Sequence, residues 1–98
     1  MSETIYALAS GAGRAGIAVL RLSGTAADAA LSALSDAPLP PPRRAARVRL
    51  RDPQTGTPLD DGLALRFPGP ASYTGEDVVE LHIHGGGAVV AAVFAALG

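Results

Sequence analysis

From Val78 to His84 the chain reads Val-Val-Glu-Leu-His-Ile-His, and this alternation constrains the fold more than any other stretch. Successive side chains of a strand point to opposite faces. Val79, Leu81 and Ile83 therefore share one face, and Val78, Glu80, His82 and His84 share the other. The first face must be the core side. The molecule then needs a sheet with one packed face, and apolar elements elsewhere must cover it.

Shorter runs of the same kind precede it. Residues 4–10, 17–23, 47–51 and 63–67 read as strands, with Arg47, Arg49 and Arg51 alternating against Val48 and Leu50 to give one wet, arginine-lined face. Residues 26–34 and 88–97 read as helices. Thr25 is placed to cap the first, with Asp28 in its first turn completing a rough capping box. Pro38, Pro40, Pro41 and Pro42 form a stiff connector that no helix crosses. Residues 52–57 carry turn chemistry, and residues 71–77 form a polar loop. These elements predict an α+β domain: a mixed or antiparallel sheet with short helices.

A chain of 98 residues has room for one domain. Much of its apolar content is alanine, which buries little area, so its core is thin and a partner surface would strengthen it. The net charge of −1 argues against a chain whose main task is electrostatic binding to nucleic acid. All eight basic residues are arginine, which removes any P-loop or Schiff-base lysine. Without cysteine there is no disulfide, thiolate zinc site or thiol nucleophile. No apolar run is long enough to span a membrane and the first residues do not read as a secretory signal, so the expected location is cytoplasmic.

Three groups of residues stand out chemically. Arg21 sits in Ile17-Ala18-Val19-Leu20-Arg21-Leu22, on the face shared by Ile17 and Val19. A guanidinium there needs partners. It is either a structural ion pair or snorkelling arginine, or an anion-binding fork reaching a ligand carboxylate. Glu80, His82 and His84 line one strand face, either as ordinary solvent-facing polar residues or as the floor of a pocket. A carboxylate such as Glu80 accepts two parallel N–H bonds, which suits the amino group and ring N–H of a pterin. The two histidines, with Glu80, also allow a metal reading, but residues two apart on a flat strand often diverge too far to share one ion. Of the glycine runs, residues 11–16 precede a strand and lack a phosphate-binding helix start. Residues 85–87 precede a helix and fit either a tight turn or an anion site.

Two blocks then become familiar. Gly13-Arg14-Ala15-Gly16-Ile17-Ala18-Val19-Leu20-Arg21-Leu22-Ser23-Gly24 resembles the opening of the MnmE (TrmE) family of tRNA-modification GTPases. So does the long, ordered block from Phe67-Pro68-Gly69-Pro70 through Tyr73-Thr74-Gly75-Glu76-Asp77 to His84-Gly85-Gly86, and Asp60-Asp61-Gly62 joins the two. The resemblance covers essentially the whole chain. It implies a fold like the tetrahydrofolate-binding domain of glycine-cleavage T proteins, a bound 5-formyl-tetrahydrofolate, and a homodimer. It matches Arg21 and Glu80 to folate-contacting positions; no catalytic residue and no metal ligand is assigned.

The family is similar to enzymes that act with an FAD-dependent partner of the MnmG (GidA) type. Together they modify the wobble uridine of certain tRNAs at ring carbon five, with the folate supplying the one-carbon unit. Residues 1–98 are expected to be the N-terminal folate-binding and dimerisation domain, truncated at its C-terminal end. The family's GTP-binding domain, with its GTP, Mg and K, lies outside them, so this piece alone should catalyse nothing. Two alternatives from other classes are a pure dimerisation module that has lost folate through truncation, and a metal-dependent enzyme using His82, His84 and Glu80.

Overall fold

A computed structural model describes residues 5–8, 16–35, 38–70, 75–84 and 86–97, with residues 5–8 described by their backbone. The chain runs β1 (Ile5–Leu8), β2 (Ile17–Ser23), α1 (Ala27–Leu34), β3 (Ala46–Arg51), β4 (Pro58–Phe67), β5 (Val78–His84) and α2 (Gly87–Leu97). The strands form one five-stranded sheet in the order β1-β2-β5-β4-β3, with every neighbouring pair antiparallel. The α+β expectation holds, and the sheet is antiparallel rather than mixed.

Alternation decides which face is covered. Ala18, Leu20 and Leu22 of β2, Val48 and Leu50 of β3, Ala64 of β4, and Val79, Leu81 and Ile83 of β5 are all buried. They meet Ala27, Leu31 and Leu34 of α1, whose spacing places them on one stripe, and Val93 of α2. Both helices cover the same face: α1 packs on β5 and β3, and α2 packs on β4, β5 and α1. Among the described residues no helix covers the opposite sheet face.

The first helix begins differently from the expectation. Its N-cap is Ala26, with no side-chain cap bond, and Thr25 is exposed. Asp28 does not complete a capping box, because Arg66 engages both of its oxygens. Arg66 Nε donates to Oδ1 at 2.9 Å and Nη2 to Oδ2 at 2.8 Å, while Nη1 donates to the Pro40 carbonyl at 2.9 Å. One arginine thus ties α1, the proline connector and β4 together. The fork holds the Asp28 carboxyl below its ordinary range, against the opposing effect of burial, and holds the Arg66 guanidinium more firmly protonated.

Strand β4 is longer than the sequence predicts, starting at Pro58 rather than Leu63. Its first half, Pro58-Leu59-Asp60-Asp61-Gly62, is poor in strand formers. Tertiary contacts compensate. Asp52 Oδ1 accepts the backbone N–H groups of Gln54 and Thr55, and Gly56 turns at φ 74, so the hairpin from β3 closes tightly. At Gly62 the chain passes so close to the His82 carbonyl that a Cβ would collide with it. Beyond that point Asp60 replaces the ladder, accepting the His84 backbone N–H at 2.8 Å.

Strand β2 matches its expected bounds, as does β5; β3 begins one residue early, at Ala46. The second helix likewise begins one residue early, at Gly87. Of the expected first strand, residues 5–8 are described and the rest lie outside the described residues, as do residues 11–15, 71–74 and Gly85. Gly86 and Gly87 have open space where a Cβ would stand and no left-handed φ, so a tight-turn explanation is not required at these two positions.

Candidate functional site

The open face is where the chemistry gathers. Antiparallel pairing puts Arg21 directly opposite Glu80, Val19 opposite His82, and Ile17 opposite His84. On the far side of β5, Leu65 stands opposite Glu80 and Leu63 opposite His82. Arg21 and Glu80, read separately in the sequence, thus stand side by side on neighbouring strands.

Their contact is asymmetric. Arg21 Nη2 donates to Glu80 Oε2 at 2.9 Å and Nε donates to the same oxygen at 3.3 Å. The other oxygen, Oε1, lies 3.3 Å from His82 Nε2. Glu80 therefore stands between two nitrogen donors, with 20% of its side-chain surface exposed and 30% of Arg21's. A pair this accessible contributes only about 1 kcal/mol, so a ligand offering equivalent partners can open it. The arrangement offers an anion-binding fork and an acceptor within one strand spacing, beside the flat apolar surface of Val19 and Leu65.

The histidines divide. His84 Nδ1 lies 2.7 Å from Asp60 Oδ1, one strand away from Glu80, while His82 turns to Glu80. Among the described residues no group of three or more histidine, cysteine, aspartate or glutamate side chains converges as a metal site would. Val78, which shares the parity of Glu80, is buried rather than available to a ligand.

The expectation of a cleft is not met by these residues: the pair lies on an open sheet surface. One broad depression lies towards the β3 edge and is lined by Arg47, Arg49, Asp61, Leu63 and His84 among others. A smaller one lies between the two helices and is walled mainly by alanine. Neither includes Arg21 or Glu80. The first includes a highly exposed Arg49–Asp61 pair at 3.4 Å.

Three residues escaped the sequence reading. Asp77 accepts the Gly69 N–H at its side chain and the Gly24 N–H at its carbonyl, both at 2.9 Å, fastening the β4–β5 loop to the end of β2. Asp60 and Arg66 act as described above. For Arg66 a signal existed: it shares strand parity with buried Ala64, so a charge was facing the core.

Comparison with known proteins decides the family. The family described as GTP-binding protein TrmE N-terminus matches residues 4–98. This chain belongs to that family. A tRNA modification GTPase MnmE from Paramagnetospirillum magneticum is 70% identical over 98 residues, 100% of this chain and 22% of the relative. Another from Parvibaculum lavamentivorans is 66% identical over 96 residues, 98% of this chain and 22% of the relative. The mitochondrial 5-taurinomethyluridine-[tRNA] synthase subunit GTPB3 of Mus musculus is 57% identical over 98 residues, 99% of this chain and 20% of the relative. The TrmE N-terminal chain thus spans about a fifth of the length of these relatives. Among its described residues no helix is long and apolar enough to cross a membrane.

Proposed function

We propose that this chain is the folate-holding and self-associating N-terminal module of a tRNA-modification GTPase, working in the cytoplasm, with Arg21 and Glu80 as its ligand-binding residues. The observation that carries the reading is the direct cross-strand contact of Arg21 and Glu80 on an open face. The donor set fits a reduced folate. Glu80 accepts, which suits the amino group and ring N–H of the pterin. Arg21 donates, which suits an anionic group such as the folate's carboxylate. Val19 and Leu65 provide apolar surface for a flat ring. When bound, 5-formyl-tetrahydrofolate brings the one-carbon unit. This chain's own residues bind and orient it, while GTP hydrolysis, tRNA and the flavoprotein partner belong to the longer protein.

Self-association follows from the same face. An uncovered antiparallel face is normally polar. Here Ile17 is 60% exposed and Leu63 40%, with Val19, Leu65 and Phe67 half-buried around them. Pairing with a second copy would cover this surface and turn an open site into an enclosed one. The alternative, assembly without folate, draws support from the fact that Arg21 and Glu80 already satisfy one another. Titration of 5-formyl-tetrahydrofolate during sedimentation separates the two. Saturable binding of one folate per chain supports the first reading, and a dimer that ignores folate supports the second.

A further inference from the structure

We infer that His82 is a positioning residue of the Arg21–Glu80 site, holding Glu80 by its second oxygen when Arg21 turns to an anionic group of the ligand; this rests on the folate reading above. Oε2 of Glu80 accepts two N–H bonds from Arg21, and Oε1 faces His82 Nε2 at 3.3 Å. An ionised carboxylate only accepts, so Nε2 carries the proton. The ring's cross-strand neighbours, Val19 and Leu63, offer no competing side-chain acceptor.

The consequence concerns what Glu80 keeps. If Arg21 were its sole partner, redirecting Arg21 to a ligand would leave the partly exposed Glu80 carboxylate without a donor and free to turn away. With His82 in place Glu80 retains a donor and its orientation, so the site opens at lower cost. The charged groups that face His82 are Arg21 from β2, Asp61 from β4, Arg47 and Arg49 from β3, and Glu80 and His84 on its own strand. Of these His84 is the other imidazole, and it is held by Asp60 at 2.7 Å.

Calorimetry of 5-formyl-tetrahydrofolate binding to wild type, His82→Leu, His82→Gln and His84→Gln tests the assignment. His82→Leu should bind about tenfold more weakly, and His82→Gln, which can still donate to Oε1, should recover most of that loss. His84→Gln, which leaves the donor to Oε1 of Glu80 in place, should bind as wild type does. Equal affinity of wild type and His82→Leu overturns the inference. So does a folded His82→Gln that binds about tenfold or more weakly than wild type, a result that remains decisive if His82→Leu fails to fold. A wild type that does not bind overturns the folate reading itself, and the inference falls with it.

Discussion

Arg21 directs two N–H groups at a single oxygen of Glu80, at 2.9 and 3.3 Å, instead of pairing one with each. Arg66 and Asp28 show the other geometry, a true fork with two bonds to two oxygens. The fork joins three elements and leaves neither oxygen of Asp28 without a donor. The single-oxygen contact spans one pair of strands, and Oε1 of Glu80 lies against His82 Nε2 at 3.3 Å.

The fork predicts a stability effect without a binding effect. Asp28→Ala removes the partner of a half-buried guanidinium and should lower unfolding free energy by about 2 kcal/mol. Folate affinity should stay at the wild-type value, since Asp28 lies on the helix-covered side. Urea unfolding measures the first and calorimetry the second. The pH dependence follows from the lowered Asp28 carboxyl. Its contribution is complete above about pH 4, the unfolded range, and disappears as pH falls through the lower folded value. Asp28→Asn should flatten that part of the acid-unfolding curve.

Asp60 predicts a local effect at the end of β5. Its carboxylate accepts the His84 backbone N–H at 2.8 Å where β4 has left the ladder, and its side chain is only 10% exposed. Asp60→Ala should cost about 1.5 kcal/mol or more, because a bond to a charged acceptor is lost. Amide hydrogen exchange at His84 should accelerate well before exchange at Leu81, whose place in β5 is central.

The alternation of β2 and β5 made the two faces of each strand readable in advance, whereas the meeting of Arg21 with Glu80 depends on a pairing register between distant segments. Period two is a local rule, and both strands obey it without a bulge in their shared register. The first half of β4 was not readable, since Asp60-Asp61-Gly62 has low strand propensity and is held by contacts from distant residues. Gly62 fits under the His82 carbonyl, and Asp60 reaches the end of β5. The helix start was misjudged for a related reason. Asp28 suits a local capping role, but a residue 38 positions away competes for it and wins with two charged bonds.

Self-association predicts that Leu63→Glu, at a 40% exposed position on the open face, shifts the protein towards monomer in sedimentation. The monomer should keep its fold, since Leu63 is outside the buried core. An unchanged dimer would place the interface elsewhere.

The central claim is that Glu80 is a ligand acceptor and not only the counter-charge of Arg21. Calorimetry of 5-formyl-tetrahydrofolate binding to wild type and Glu80→Gln tests it most directly. Replacing a charged acceptor by an amide should weaken binding about tenfold or more, a loss of about 1.5–3 kcal/mol. Measurable wild-type binding with equal affinity in Glu80→Gln would contradict the account.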